Sequence, residues 1–185
     1  WSDWVRVDFE AIPVLASASS IGRFYLQQVR PTFQLYVTPL QINPEEPAKP
    51  ISTPEDWSHA LFEELGYFYT QELPEDTTAF SEGVFTGREF WQQAQFVYGE
   101  RRNALDYFVD EFEKGFTFFY FSSVDQGCHM IWHFGDENHP VHAKDELLRD
   151  GKRILYEEID EAVGRAMQEM DENTTLVVMS DHGFA

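Results

Sequence analysis

The stretch Thr175-Leu-Val-Val-Met-Ser-Asp-His-Gly-Phe184 joins an apolar run to two side chains that can bind metal. Residues 176–179 are apolar and include two valines, which is typical of a buried strand in a parallel sheet. Asp181 and His182 follow at its carboxyl end, and Gly183 permits a sharp turn. Because open α/β sheets bind ligands at this end of their strands, both side chains are candidate ligands of a divalent metal ion. The alternative is an ordinary strand end with a capping aspartate and a solvated histidine.

A second stretch farther upstream has the same arrangement. Residues 116–124, Phe-Thr-Phe-Phe-Tyr-Phe-Ser-Ser-Val, predict another buried strand. Asp125 and His129 follow it within the motif Asp-Gln-Gly-Cys-His, so one turn can bring both side chains to a single point. Two predicted strands that each end in an aspartate and a histidine favour a metal site over two ordinary strand ends.

A long amphipathic helix is predicted between these strands, at residues 145–171, because its apolar side chains recur with a period near 3.6. A strand, a crossover helix and a second strand form a βαβ unit. The two strands should therefore be parallel and connected in the right-handed sense. This topology places Asp125 and Asp181 at the same edge of the sheet.

The two motifs resemble those of the alkaline phosphatase superfamily, most closely its type I phosphodiesterase/nucleotide pyrophosphatase branch with its predicted phosphohydrolase/phosphomutase relatives. The resemblance rests on Asp-x-x-x-His after one strand and Asp-His-Gly after a later one, and it extends upstream to Pro50-Ile-Ser-Thr-Pro54. It implies two metal ions at the carboxyl end of a central sheet. Asp125 and His129 match two ligands of one ion, and Asp181 and His182 match two ligands of the other.

The resemblance also implies groups that this sequence does not show. The family has an aspartate after its first strand, a threonine or serine nucleophile at a helix start, and a further histidine downstream of Asp-His-Gly. We therefore expect an internal fragment of a larger enzyme, with its nucleophile upstream. Thr53 is interpreted as a helix cap followed by Pro54 at the first helical position. Ser123 is rejected as nucleophile because it is predicted to precede the strand end instead of starting a helix.

The predicted fold class is α/β: a partial parallel sheet with flanking helices, alkaline phosphatase-like, plus an N-terminal antiparallel β insert. Residues 1–38 form the insert, since their polarity alternates as in half-buried strands. Residues 39–54 contain five prolines and predict an extended linker. Residues 55–185 form the α/β portion of the catalytic domain, with helices predicted at 54–65 and 87–114.

The composition restricts the partners. The chain has 33 acidic and 13 basic residues, a net charge of −20, which argues against nucleic acid and anionic membranes. A small phosphate ester stays compatible with this charge because metal ions supply local positive charge. No apolar run approaches the roughly 20 residues of a membrane span. The single cysteine, Cys128, cannot form an intrachain disulfide.

The leading hypothesis is hydrolysis or transfer of phosphoric esters with two divalent metal ions. Aspartate and histidine ligands suit zinc, and manganese is the alternative where more oxygen ligands are present. The fragment alone is expected to bind metal weakly and to hydrolyse nothing. A hypothesis of another class is a non-catalytic accessory or partner-binding domain, which the acidic surface and the β-rich start would serve. The two Asp/His pairs discriminate between them, since a binding module does not need them.

Overall fold

The computed structural model describes residues 1–12, 16–71 and 74–184. The chain forms two compact units, Trp1–Glu72 and Leu73–Ala185. The three ranges predicted from the sequence, 1–38, 39–54 and 55–185, divide the chain more finely and stay a prediction.

The first unit contains two small antiparallel sheets. The strands are β1 (Val5–Ile12), β2 (Ala16–Gly22), β3 (Phe24–Gln28), β4 (Gln34–Val37) and β5 (Gln41–Ile42). One sheet has the order β1-β2-β5, with Val7 opposite Ser20, and the other pairs β3 with β4. The antiparallel strands predicted for the amino-terminal region are therefore present, and they continue into the proline-rich stretch.

Helix α1 (Trp57–Leu65) follows the strands. The predicted start, with Thr53 as cap and Pro54 as first helical residue, is wrong because the helix begins three residues later. The hydroxyl of Ser52 accepts the amide hydrogen of Ser58 at 2.9 Å and donates to the Pro54 carbonyl at 2.7 Å. These bonds hold residues 52–56 in turns ahead of the helix.

The second unit is helical. Its helices are α2 (Thr77–Ser81), α3 (Gly87–Glu111), α4 (Ser123–Gly135), α5 (Glu146–Arg149) and α6 (Gly151–Gln168). Helix α3 begins at the predicted residue 87, where Thr86 and Glu89 form a capping box, and it ends at Glu111 instead of residue 114. The single helix predicted at 145–171 is instead divided into α5 and α6 at Asp150. None of the helices described is long and apolar enough to cross a membrane.

Helix α4 packs closely against α6. A Cβ atom added at Gly127 would lie 2.4 Å from Cδ1 of Leu155, so the absence of a side chain at position 127 permits this approach. Ile131 on α4 and Leu155 on α6 are each 1% exposed, and Phe90 on α3 is fully buried. The buried face of α4 is therefore held in place by the core of the unit.

Residues 116–121 precede α4 but, like residues 174–180, form no strand among the residues described. Phe119 lies 6.0 Å from Phe108 and Phe121 lies 6.0 Å from Tyr98, ring centre to ring centre, so one side of the segment packs on α3. Phe118, on the other side, is 68% exposed. All pairings in the described residues are antiparallel, and the parallel sheet stays a prediction.

Candidate metal centre

Helix α4 carries two of the four predicted ligands. Ser123 and Val124, predicted as the end of a strand, form its first turn, so Asp125 and His129 lie in a helix and not in a turn. Residues four apart share one helix face, and Oδ1 of Asp125 lies 3.4 Å from Nε2 of His129. The first turn of a helix is also where its dipole favours a carboxylate.

His182 reaches the same carboxylate from the carboxyl-terminal segment. Its Nε2 lies 3.2 Å from Oδ1 of Asp125. Its Nδ1 lies 3.2 Å from the carbonyl oxygen of Gly183, and a proton donated there leaves the Nε2 lone pair directed at Asp125. The hydroxyl of Ser180 donates to the carbonyl of His182 at 2.5 Å and holds the turn.

The three side chains fit a divalent metal ion. Their ligand atoms all lie within 4.8 Å of one another. Bonds of about 2.0–2.2 Å in tetrahedral geometry separate ligand atoms by roughly 3.4 Å, and the two measured separations from Asp125 are 3.2 and 3.4 Å. Oδ1 of Asp125 is buried and accepts no hydrogen bond from a described residue, while Oδ2 accepts one from Gln126 at 2.8 Å. The buried oxygen therefore has lone pairs free for a cation.

Aromatic rings enclose the two imidazoles. The ring of Phe184 meets His129 edge to face at 4.9 Å and His182 at 5.2 Å, and it stacks on Trp132 at 5.7 Å. Nζ of Lys152 lies 3.8 Å from the ring centre of Trp132. The two sequence motifs do not include these aromatic residues, although Phe184 directly follows Asp-His-Gly and Trp132 lies three residues after His129.

Asp181, the fourth predicted ligand, is exposed and does not belong to the three-residue group found among the described residues. The sequence paired His182 with Asp181, whereas the structure brings the His182 imidazole to Asp125 and His129. Burial raises the pKa of Tyr120, and the charges of Asp125, Glu75 and Asp181 raise it further.

Ser123 does begin a helix, contrary to the expectation from the sequence. The reason is that the residues buried after it, Gly127, Cys128 and Ile131, follow helical spacing. Ser123 is only 2% exposed, so its burial keeps the hydroxyl away from a substrate in solution.

Comparison with protein-family models matches residues 34–185 to the family described as type I phosphodiesterase / nucleotide pyrophosphatase. The matched range contains Asp125, His129, Asp181 and His182. Searches of curated proteins and of solved structures found no match.

Proposed function

Since the chain belongs to the type I phosphodiesterase/nucleotide pyrophosphatase family, we propose that Asp125, His129 and His182 bind a divalent metal ion used in the hydrolysis or transfer of a phosphoric ester. The observation that carries the proposal is the buried Oδ1 of Asp125, which lies 3.2 and 3.4 Å from the two imidazole nitrogens. The match to a hydrolase family gives no support to the non-catalytic alternative.

Each of the three side chains has a separate task in this proposal. Asp125 contributes negative charge, and its Oδ2 is oriented by the amide of Gln126. His129 and His182 contribute neutral nitrogen donors, and the carbonyl of Gly183 sets the ring orientation of His182. A bound ion would supply Lewis acidity toward a phosphoryl oxygen. None of the three side chains transfers a proton.

We assign Asp181 to a second metal ion. Its exposure leaves its carboxylate accessible, and it directly precedes His182 in the chain. Zinc is the favoured metal at Asp125, His129 and His182, because aspartate with histidine is a common zinc ligand set, and manganese is the alternative. The substrate class is a small phosphate ester, since a net charge of −20 opposes extended polyanions.

We also propose that residues 116–121 and 176–179 are neighbouring parallel strands of the central sheet expected for the family. Both segments are apolar, and the groups that follow them meet where His182 reaches Asp125. Hydrogen exchange measured by NMR on the purified chain tests this proposal. Slowly exchanging amides in both segments would support it, whereas exchange at the rate of an unstructured peptide would contradict it.

A titration with zinc ions tests the metal site itself. We expect Asp125→Ala and His129→Ala to weaken zinc binding by more than about tenfold, because even outer-shell partners of a metal are worth about 10- to 100-fold in affinity. Asp160→Ala, which removes an exposed carboxylate from α6, is the matched control and should bind like the wild type. Unchanged binding in Asp125→Ala would refute the site.

Turnover is a separate measurement. We propose that these 185 residues bind metal without hydrolysing a nitrophenyl phosphate monoester or diester, because Thr53 does not begin a helix and Ser123, which does, is only 2% exposed. Metal-dependent hydrolysis that is abolished by Asp181→Ala would contradict this statement and would show that the chain contains a complete site.

A further inference from the structure

Glu75 is a buried carboxylate that the proposed metal site does not use. The residue is 2% exposed. Its two carboxylate oxygens accept a hydrogen bond from the hydroxyl of Ser122, at 2.8 and 2.9 Å. Burial raises the pKa of Glu75, and the bond from Ser122 opposes that rise. A buried ionisable group is costly unless it is hydrogen-bonded, so the contact with Ser122 needs an explanation.

Ser122 lies at the N-cap position of α4, three residues before Asp125. A serine at this position ordinarily accepts an amide hydrogen from the first turn of its helix. Ser122 makes no such capping bond to the part of the chain described, and its hydroxyl donates to Glu75 instead. The amino end of α4 is therefore attached to a residue 47 positions earlier in the chain.

Glu75 is itself held in place by α3. Gln93, which is 1% exposed, donates from Nε2 to the carbonyl of Pro74 at 2.7 Å. The same side chain accepts the amide hydrogen of Asp76 through Oε1 at 3.0 Å. The backbone on both sides of Glu75 is thus fixed to the second turn of a 25-residue helix.

We propose that Glu75 is a positioning residue of the metal centre: the chain of contacts from Gln93 through Glu75 to Ser122 fixes where α4 begins and thereby where Asp125 meets His182. This inference rests on the proposed function, because it assumes that Asp125 binds metal. His182 comes from a separate segment, so its distance to Asp125 depends on the placement of the amino end of α4. Metal–ligand distances tolerate only about 0.2 Å, which makes that placement important.

The test is the zinc affinity of the full chain, measured by competition with a chromophoric chelator. We expect Glu75→Ala and Ser122→Ala to weaken zinc binding by about tenfold or more, as for other outer-shell partners. Glu75→Gln keeps an acceptor for the Ser122 hydroxyl and should remain within about threefold of the wild type. Glu158→Ala is the matched control, since Glu158 is a partly buried carboxylate on α6 that accepts from Gln95 at 3.4 Å.

The outcomes distinguish three cases: Glu75 acts by positioning α4, Glu75 acts through its charge, or the proposed metal site is wrong. If Glu75→Gln weakens binding as much as Glu75→Ala, the charge of Glu75 acts and positioning is refuted. If Ser122→Ala binds like the wild type, or Glu158→Ala weakens binding equally, the inference is also overturned. If circular dichroism shows that Glu75→Ala does not fold, the zinc affinities of Ser122→Ala and Glu75→Gln test the inference instead. Wild-type binding that does not depend on Asp125 would instead refute the proposed function.

Discussion

At the scale of single residues, the candidate site depends on one oxygen atom. Oδ1 of Asp125 is buried and faces two imidazole nitrogens, one from its own helix and one from the carboxyl-terminal segment. The same residue types also form ion pairs when the imidazoles are protonated, whereas a metal requires them neutral. Metal titration of single variants therefore tests the geometry directly.

The structure and the motif pattern make different predictions for His182 and Asp181. Since His182 lies with Asp125 and His129 and Asp181 does not, His182→Ala should weaken the tighter zinc site by more than about tenfold, and Asp181→Ala should change it by less than about threefold. Isothermal titration of both variants gives this comparison. Equal losses of zinc affinity in the two variants would instead support the pairing of His182 with Asp181 that the sequence predicts.

At the scale of elements, the position of α4 depends on its contact with α6. A methyl group at position 127 would lie 2.4 Å from Cδ1 of the buried Leu155. We expect Gly127→Ala to lower the free energy of unfolding by about 1–3 kcal/mol, as overpacking of a core does. Urea unfolding followed by circular dichroism measures this change.

Gly164 provides the control for that substitution. It lies within α6, and apart from its chain neighbours and the backbone of its own helix no described atom is within 4 Å of its hypothetical Cβ. Gly164→Ala should therefore raise the free energy of unfolding by about 0.5–1 kcal/mol, because alanine favours a helix over glycine. A loss of stability in both variants would show that position 127 has no special packing role.

The short helix α5 is held by one aspartate. Oδ1 of Asp145 accepts the amide hydrogens of Leu147 and Leu148, and Arg88 donates to Oδ2 at 2.8 Å. The bond from Arg88, together with those amides, lowers the pKa of Asp145 below its ordinary value. The folded state therefore favours the charged carboxylate.

Asp145→Asn keeps the cap and removes the charge. The pKa of Asp145 is lower in the folded than in the unfolded chain. Its charge therefore stabilises the folded state fully at pH values above the ordinary aspartate pKa of about 3.9, and this stabilisation is lost as the pH falls through the lowered pKa. At pH 7 the free energy of unfolding of the wild type should exceed that of the variant by less than about 1 kcal/mol, since the Arg88 side chain of the ion pair is largely exposed to solvent. The free energies of unfolding of the wild type and of Asp145→Asn should become equal as the pH is lowered from neutral to acid. A difference that stays constant over this range would contradict this account.

At the scale of the whole molecule, all residues proposed for the metal centre belong to one compact unit. Asp125, His129, His182 and Glu75 lie within Leu73–Ala185, whereas the antiparallel sheets lie within Trp1–Glu72. Compact units with their own core generally fold by themselves. The metal centre should therefore not depend on residues of the first unit.

A chain consisting of residues 73–185 tests this separation. We expect its zinc affinity to lie within about threefold of that of the full chain, because it retains all three ligand residues and the positioning residue Glu75. The same chelator competition measures both proteins, and circular dichroism verifies that the helices persist. Loss of binding by a folded 73–185 chain would contradict the assignment of the site to this unit alone.

Local patterns in the sequence determined much of the framework. The alternating polarity at the amino terminus predicted antiparallel strands, and the pattern of residues 87–114 predicted α3, since both signals act between residues at most four positions apart. The motifs Asp-x-x-x-His and Asp-His-Gly also identified the candidate ligands by residue type. These features are local, so no tertiary contact is needed to read them.

Only the tertiary structure decided how these pieces combine. It placed Asp125 in a helix, because burial of Gly127 and Ile131 overrode the strand pattern before them. It brought His182 to Asp125 and joined Glu75 to Ser122, which are 47 positions apart. Contacts between distant segments depend on how helices pack, and packing arises from the shapes of side chains that no local periodicity encodes. The ligand types are therefore readable from the sequence, whereas their grouping follows from the packing of α3, α4 and α6.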